Sequence, residues 1–535
     1  MADEAIGRWF LSAAERGNAA TQLDDRATGV AWSEGNSARL VVHGAHYFRR
    51  LYDELRALQP GDRIAFTDWR GDADELMIPG GPTVAEQLCE VARRGVEVRG
   101  LVWRSHSDIV SFSARENSRL GKQLNEAGAE VLLDQRVRRI GSHHQKLFII
   151  RHKDDPERDV AFVGGIDLCH SRRDDELHRG DLQQQPMDER YGDHAPWHDA
   201  AVELHGPVVA DLMTCFAERW DDPHPLDRRT PYRMLIQRID RMPRHPERLP
   251  TRFPPPPVAG EHAVQVLRTY GRARHKYPFA PAGERSVARA YTKAFQMARS
   301  LIYVEDQYLW SELVAQSIAD ALKRSPELHV IVVVPRYPDA DGAVSGPVNR
   351  IGQLRALELL EQAAPDRFAA YDLTNEADVP IYVHAKACIV DDVWMTCGSD
   401  NFNRRSWTND SELTCAILDP ARDDRAPTEL DGHGDGARRL AREARLELWS
   451  EHLARPRDDV DLIDPARGFA IWAEAADALD AWYAGGKVGT RPPGRVRRHR
   501  PAPVSRWQRA FAEPAYRLLA DPDGRRWRDR RANRF

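Results

Sequence analysis

Val383-His384-Ala385-Lys386-Ala387-Cys388-Ile389-Val390-Asp391, followed by Gly398-Ser399-Asp400-Asn401, is the stretch around which the rest of this sequence falls into place. Its apolar residues predict a buried strand. Residues two apart on a strand share a face, so His384 and Lys386 are expected to point the same way. A neutral imidazole beside a fixed ammonium can act as nucleophile or proton carrier next to an anion. The Gly-Ser turn with Asn401 adds close-approaching donors for oxygen atoms.

The pattern occurs twice. His144-Gln145-Lys146-Leu147-Phe148-Ile149-Ile150 is followed by Phe162-Val163-Gly164-Gly165-Ile166-Asp167, with the same order of H-x-K, apolar strand, second strand and small-residue turn. The flanks repeat as well. In the first half, strands are predicted at 63–69, 96–103 and 129–133, and helices from a Thr83–Glu86 capping box and over 117–127. In the second half, strands at 301–306, 328–334 and 368–371 alternate with helices over 312–323 and 350–363. Strands alternating with helices predict an internally duplicated α/β protein, two lobes each with a mostly parallel mixed sheet flanked by helices, and the active site at a pseudo-twofold interface.

Paired H-x-K-x4-D and G-G/S-x-N/D motifs resemble the phospholipase D superfamily. Further stretches resemble its larger, eukaryotic-type enzymes: Pro196-Trp197-His198-Asp199, Val264-Gln265-Val266-Leu267-Arg268 and Tyr303-Val304-Glu305-Asp306-Gln307-Tyr308. The resemblance covers roughly residues 40–450. It implies a phosphodiesterase that releases phosphatidic acid and a headgroup alcohol from glycerophospholipids through a phosphohistidine, with transfer to other alcohols as a side reaction. It implies His144 as nucleophile and His384 as general acid; the residues alone leave that order open.

Each imidazole needs an acceptor on its other nitrogen. Glu412 matches the family's carboxylate position, and Asp174 is the best match in the first half, with Asp175 adjacent. The expected catalytic set is therefore His144, Lys146, Asp174, His384, Lys386 and Glu412, with Gly165, Asp167, Ser399 and Asn401 at the phosphate. Two lysines suit an anion, so neither metal nor cofactor is expected. One departure stands out: where the second copy has Asp391, the first has Arg151. That Asp is expected to order the turn after its strand, a role the polar insertion from Arg151 to Asp159 would replace.

The expected division is a first lobe over 1–221, a Pro-rich connector over 222–262, a second lobe over 263–460 and a C-terminal helix with an Arg-rich tail over 461–535. The composition of 487–535 reads as a solvated tail; the functional alternative is contact with anionic lipid headgroups, with Trp507, Phe511, Tyr516 and Trp527 interleaved among the arginines. His170, His178, His194 and His198 are irregularly spaced and joined by no cysteine pair, so they read as polar loop histidines near a phosphate pocket, with His198 a candidate for its wall. Trp69, Trp310 and Trp407 read as core or rim aromatics.

With 535 residues, 30% charged, 42% hydrophobic and a net charge of −5, the chain has no global attraction for nucleic acid. Residues 1–5 do not read as a signal peptide, no run is long enough to span a membrane, and the six cysteines form no disulfide framework. A reduced cytoplasmic monomer, with peripheral membrane contact through the tail, is the simplest expectation. The rival readings are a cardiolipin synthase-like phosphatidyltransferase, a nucleic-acid phosphodiesterase and a membrane adaptor without activity.

Overall fold

The computed structural model describes residues 2–24, 28–105, 113–138, 140–226, 246–250, 252–273, 276–339, 345–532 and 534–535. Much of the Pro-rich connector, including Pro231 and Pro243, lies outside them. Seven principal strands build the first half: β1 (Ser33–Val42), β2 (Arg63–Asp68), β3 (Glu97–Trp103), β4 (Glu130–Asp134), β5 (Leu147–Arg151), β6 (Val160–Gly164) and β7 (Ala200–His205). Seven more build the second: β8 (His262–Tyr270), β9 (Leu301–Glu305), β10 (His329–Val333), β11 (Phe368–Thr374), β12 (Ala387–Val390), β13 (Trp394–Gly398) and β14 (Glu412–Leu418).

The two sheets have the same strand order. One runs β4-β3-β2-β5-β6-β7-β1. The other runs β11-β10-β9-β12-β13-β14-β8. Duplication is therefore written into the topology. Each sheet is mixed, with its parallel pairings confined to the first three strands of the motif, β2–β3–β4 and β9–β10–β11. Helices cross over between those strands, as parallel pairing requires, whereas the remaining strands return through hairpins and loops and pair antiparallel. β1 also pairs with β8 (Ser33 opposite Val264, Asn36 opposite His262), joining the sheets edge to edge.

Period-two alternation fixes the layers. Ile64 and Phe66 of β2, with Phe148 and Ile150 of β5, pack on the outer face of the first sheet beneath helices Val84–Arg93 and Ala114–Glu126. The intervening Ala65, Leu147 and Ile149 face inward, into a core shared with Val264, Tyr303, Ile331 and Met395 of the second sheet. Helices Val208–Trp220 and Arg439–Leu453 belong to that shared core. The helix Val84–Arg93 starts at the expected capping box, Thr83 and Glu86 each bonding the other's backbone N–H. The helix Ala2–Trp9 lends Ile6 and Trp9 to the outer core of the second half.

Residues 487–535 are not a free solvated tail. Val496–Arg498 adds an antiparallel strand beside β11. Arg497 pairs with Asp480 at 2.7 Å and Arg498 with Asp477 at 2.8 Å, both on helix Pro465–Ala484. Trp507, Leu518, Leu519 and Trp527 nevertheless stay exposed. All six cysteines are buried and unpaired. Among the described residues, no helix is long and apolar enough to cross a membrane.

Candidate active site at the interface of the lobes

Both H-x-K segments lie just outside their strands. His144–Lys146 precedes β5, and His384–Lys386 fills the gap between the short strand Pro380–Val383 and β12. The strand expected through these residues breaks because each segment crosses to the other lobe. The His144 N–H donates to the Ser411 carbonyl at 2.9 Å, and the His384 N–H to the His198 carbonyl at 2.7 Å.

The side chains cross in the same way. His144 Nδ1 lies 2.9 Å from Glu412 Oε2, a carboxylate of the second lobe. His384 Nδ1 lies 2.7 Å from Asp199 Oδ2, a carboxylate of the first. Asp199 immediately precedes β7 as Glu412 opens β14, so the two are pseudo-twofold mates. Asp174, the sequence candidate, is placed elsewhere. Its carboxylate accepts from the backbone N–H groups of Asp175 (2.9 Å), Gly180 (3.1 Å) and Trp197 (2.7 Å), ordering the long loop between β6 and β7.

Lys146 Nζ sits 3.4 Å from Asp167 and 3.1 Å from the His144 carbonyl. Asp167 also accepts from the Trp69 and Arg70 N–H groups. Lys386 Nζ donates to the His384 carbonyl and, at 3.3 Å, to Gln307 Oε1. A Cβ on Gly165 would collide with the Asp199 carboxylate and press to 3.0 Å on the His384 carbonyl, so only glycine fits there. At the equivalent position, Ser399 donates its hydroxyl to Glu412 Oε2 at 2.6 Å. Asn401 is buried, and its side-chain oxygen has no hydrogen-bond partner.

Sequence reasoning missed three residues here: Asp199, Gln307 and Arg172. Arg172 is 2% exposed, stacks 4.1 Å over the Trp197 ring and lies 3.5 Å from Asp167 Oδ2. The Trp197-His198-Asp199 run was visible in sequence; the signal in it was the carboxylate. Trp69 approaches the His144 ring edge-on at 6.3 Å, whereas Trp407 stacks on Tyr291 in the core. Trp310 lines a cleft of about 430 Å³ with Tyr308, Tyr337, Arg336 and Gln307, and the last of these touches Lys386.

Burial, reinforced by Lys146 and Lys386, holds His144 well below the usual imidazole range. Burial, with Lys386 and Arg172, does the same to His384. Burial, with Asp410 beside it, pushes Glu412 up to about 8, and burial also raises Asp199. Each carboxylate thus engages the Nδ1 of its imidazole, and Nε2 is the ring nitrogen left for chemistry. Burial brings Lys386 down to about 8. Neutral imidazoles between fixed cations suit the attack of nitrogen on an anionic phosphorus centre.

A family model described as Phospholipase D matches residues 79–341, and one described as Cardiolipin synthase, PLD-like domain, matches residues 291–431. The chain belongs to the phospholipase D superfamily. Similar curated proteins include phospholipase D alpha 2 of Oryza sativa subsp. japonica, 25% identical over 79% of this chain and 66% of its own length. Phospholipase D alpha 1 of Arabidopsis thaliana is 26% identical over 75% of this chain and 63% of its own length. This superfamily member thus spans less than two thirds of those relatives. Among solved structures, phosphatidylserine synthase of Haemophilus influenzae Rd KW20 is similar at a TM-score of 0.49 and 15% identity, covering 72% of this chain and 82% of that one.

Proposed function

We propose that this chain is a phospholipase D-type phosphodiesterase that hydrolyses glycerophospholipids to phosphatidic acid and a headgroup alcohol. The observation that carries the reading is the crossed pair of imidazoles, each fixed by a carboxylate of the opposite lobe. With the anionic phosphate bound beside it, His384 takes up a proton; His144 Nε2 attacks phosphorus, and the bond to the headgroup oxygen breaks as His384 delivers that proton to it and returns to neutral. His384 then takes a proton from water, the water oxygen bonds to phosphorus, and the P–N bond breaks. Lys146, Lys386 and Asn401 bind the non-bridging oxygens and stabilise the charge developing on them. Any alcohol reaching the phosphohistidine can replace water, which gives transphosphatidylation.

His144 is the better nucleophile of the two because 15% of its side chain stays exposed against 6% for His384. The arginines and exposed tryptophans of residues 487–535 suit peripheral contact with an anionic bilayer. Vesicles of mixed phospholipids, with and without a short primary alcohol, test the reading. Phosphatidic acid, and phosphatidyl alcohol when alcohol is present, is the expected product. Cleavage of bis-p-nitrophenyl phosphate without lipid turnover would move the substrate to another class of diester.

A further inference from the structure

Behind His384 lies a second cluster of imidazoles that this chemistry does not use. His43 Nε2 lies 2.8 Å from Glu451 Oε2, and His178 Nε2 lies 2.9 Å from Glu451 Oε1. His198 Nδ1 approaches the same carboxylate at 3.9 Å and has no hydrogen-bond partner. One donor atom from each of the four residues lies within 4.8 Å of all the others. The three rings are at most 2% exposed. We propose that His43, His178, His198 and Glu451 form a closed structural site for one divalent cation of the zinc class.

The far sides of the rings carry the argument. His178 Nδ1 is 3.1 Å from the Trp197 carbonyl, which can only accept, so Nδ1 bears the proton. Its Nε2, when the ring is neutral, then presents a lone pair to a carboxylate oxygen at 2.9 Å. A proton holds a contact of that length in the free cluster, and the same two lone pairs would close on a cation in its place. His198 repeats the pattern: its Nε2 is held by Glu305 at 2.8 Å, so Nδ1 is turned towards the centre. A carbonyl or carboxylate on the outer nitrogen is how metal-ligating histidines are oriented. Three imidazoles and one carboxylate make a four-coordinate nitrogen-rich set that suits zinc, and the lack of exposure makes the site structural rather than catalytic. Tetrahedral zinc holds its donors about 3.4 Å apart, so His43 and His178 would draw back slightly from Glu451 and His198 would move in to complete the site.

Other groups face the cluster too. Arg495 also donates to Glu451 Oε1, the oxygen that faces His178, at 2.9 Å. Asp174 lies 3.6 Å from His178 Nδ1, and Glu305 also holds His452 at 2.7 Å and accepts from the Tyr303 hydroxyl at 2.6 Å. Ring protons now pointing at Glu451 are released to solvent as the cation enters. His43 has φ +71°, a conformation that a residue with a side chain keeps only when its surroundings enforce it, and its N–H donates to the Asp199 carbonyl at 2.9 Å. The cation would thereby fix the backbone on both sides of the carboxylate that orients His384.

The test is metal content by mass spectrometry of the full chain, purified without an immobilised-metal column, equilibrated with zinc and washed. One zinc per chain is expected, falling at least tenfold in His178→Gln and in Glu451→Gln. Glu305→Gln, which meets the four proposed ligands only at the outer nitrogen of His198, is expected to weaken zinc binding about tenfold without abolishing it. Cobalt titration of the unaltered chain decides independently of how the variants fold: visible d–d bands of four-coordinate cobalt at one equivalent support the site. A washed chain that retains no zinc, gives no such bands and melts at the same temperature with and without zinc would overturn the proposal and leave a cluster bridged by protons alone.

Discussion

The two lobes share a strand order and an H-x-K segment but equip them differently. In the first, Lys146 has a carboxylate counterion, Asp167, and the turn is Gly165. In the second, Lys386 meets the neutral amide of Gln307, the turn is Ser399, and Asn401 stands where the first has Asp167. The lysine without a close carboxylate is the one that burial brings down to about 8. His144 is the more accessible imidazole, whereas His384 is packed beside Arg172 and Trp197. A duplicated scaffold has thus given one half the more accessible imidazole and the other an imidazole held away from solvent.

The largest test of that asymmetry removes the imidazoles. His144→Ala and His384→Ala should each lower kcat by about 10⁴-fold or more, since neither residue acts without the other. The two variants should differ in what accumulates. Incubated with a p-nitrophenyl phosphodiester, whose leaving group needs no proton, His384→Ala should gain the mass of a phosphoryl adduct on the peptide carrying His144, and His144→Ala should gain none. An adduct on His384 instead would exchange the two roles.

Next come the carboxylates. Asp199→Asn and Glu412→Gln should each cost about 10²-fold or more in kcat, because each misorients an imidazole of the other lobe. Asp174→Asn should cost less than about tenfold in kcat while lowering Tm, since its carboxylate holds loop backbone and faces His178 rather than either H-x-K imidazole. Equal kinetic losses at Asp174 and Asp199 would break the crossed arrangement.

A smaller effect separates the lysines. The charged form of Lys386 binds the phosphate and is lost as pH rises through about 8, so kcat/KM should fall above that pH. Lys386→Arg keeps its charge and should move this limb to higher pH, whereas Lys146→Arg should leave it in place. Burial also puts Glu412 near 8, and a limb unmoved by Lys386→Arg would assign it to that carboxylate. Smallest is the turn. Ser399→Ala removes one hydrogen bond to Glu412, worth about 1 kcal/mol or fivefold in kcat, while Gly165→Ala should cost more, because its Cβ has no room against Asp199.

Much of this was legible in the sequence. Apolar runs bounded by turns located the parallel strands, and the recurrence of H-x-K exposed the duplication. The strand through the H-x-K itself was misread, because its apolar flanks continue on both sides of a segment that leaves the sheet. Asp199 was missed for a reason of length. The loop between β6 and β7 is much longer than its counterpart between β13 and β14, so Asp174, 30 residues after His144, falls close to the 28 that separate Glu412 from His384. Arg151 replaces Asp391, whose carboxylate accepts the Arg299, Ser300 and Leu301 N–H groups at 2.8 Å each. In the first lobe, Asp159 takes the His152 N–H and the Arg151 guanidinium instead. The cluster at Glu451 left no trace in spacing, because His43, His178 and Glu451 come together only through tertiary packing.

The crossed carboxylates also bear on how the enzyme comes into being. A chain in which only the first half has folded holds His144 without its acceptor, and the second half alone holds His384 without its own. During synthesis, when N-terminal segments form first, a nascent first lobe therefore holds an imidazole that no carboxylate yet orients. Both imidazoles become oriented together, when the lobes dock, so the crossed pair forms only in the fully assembled molecule.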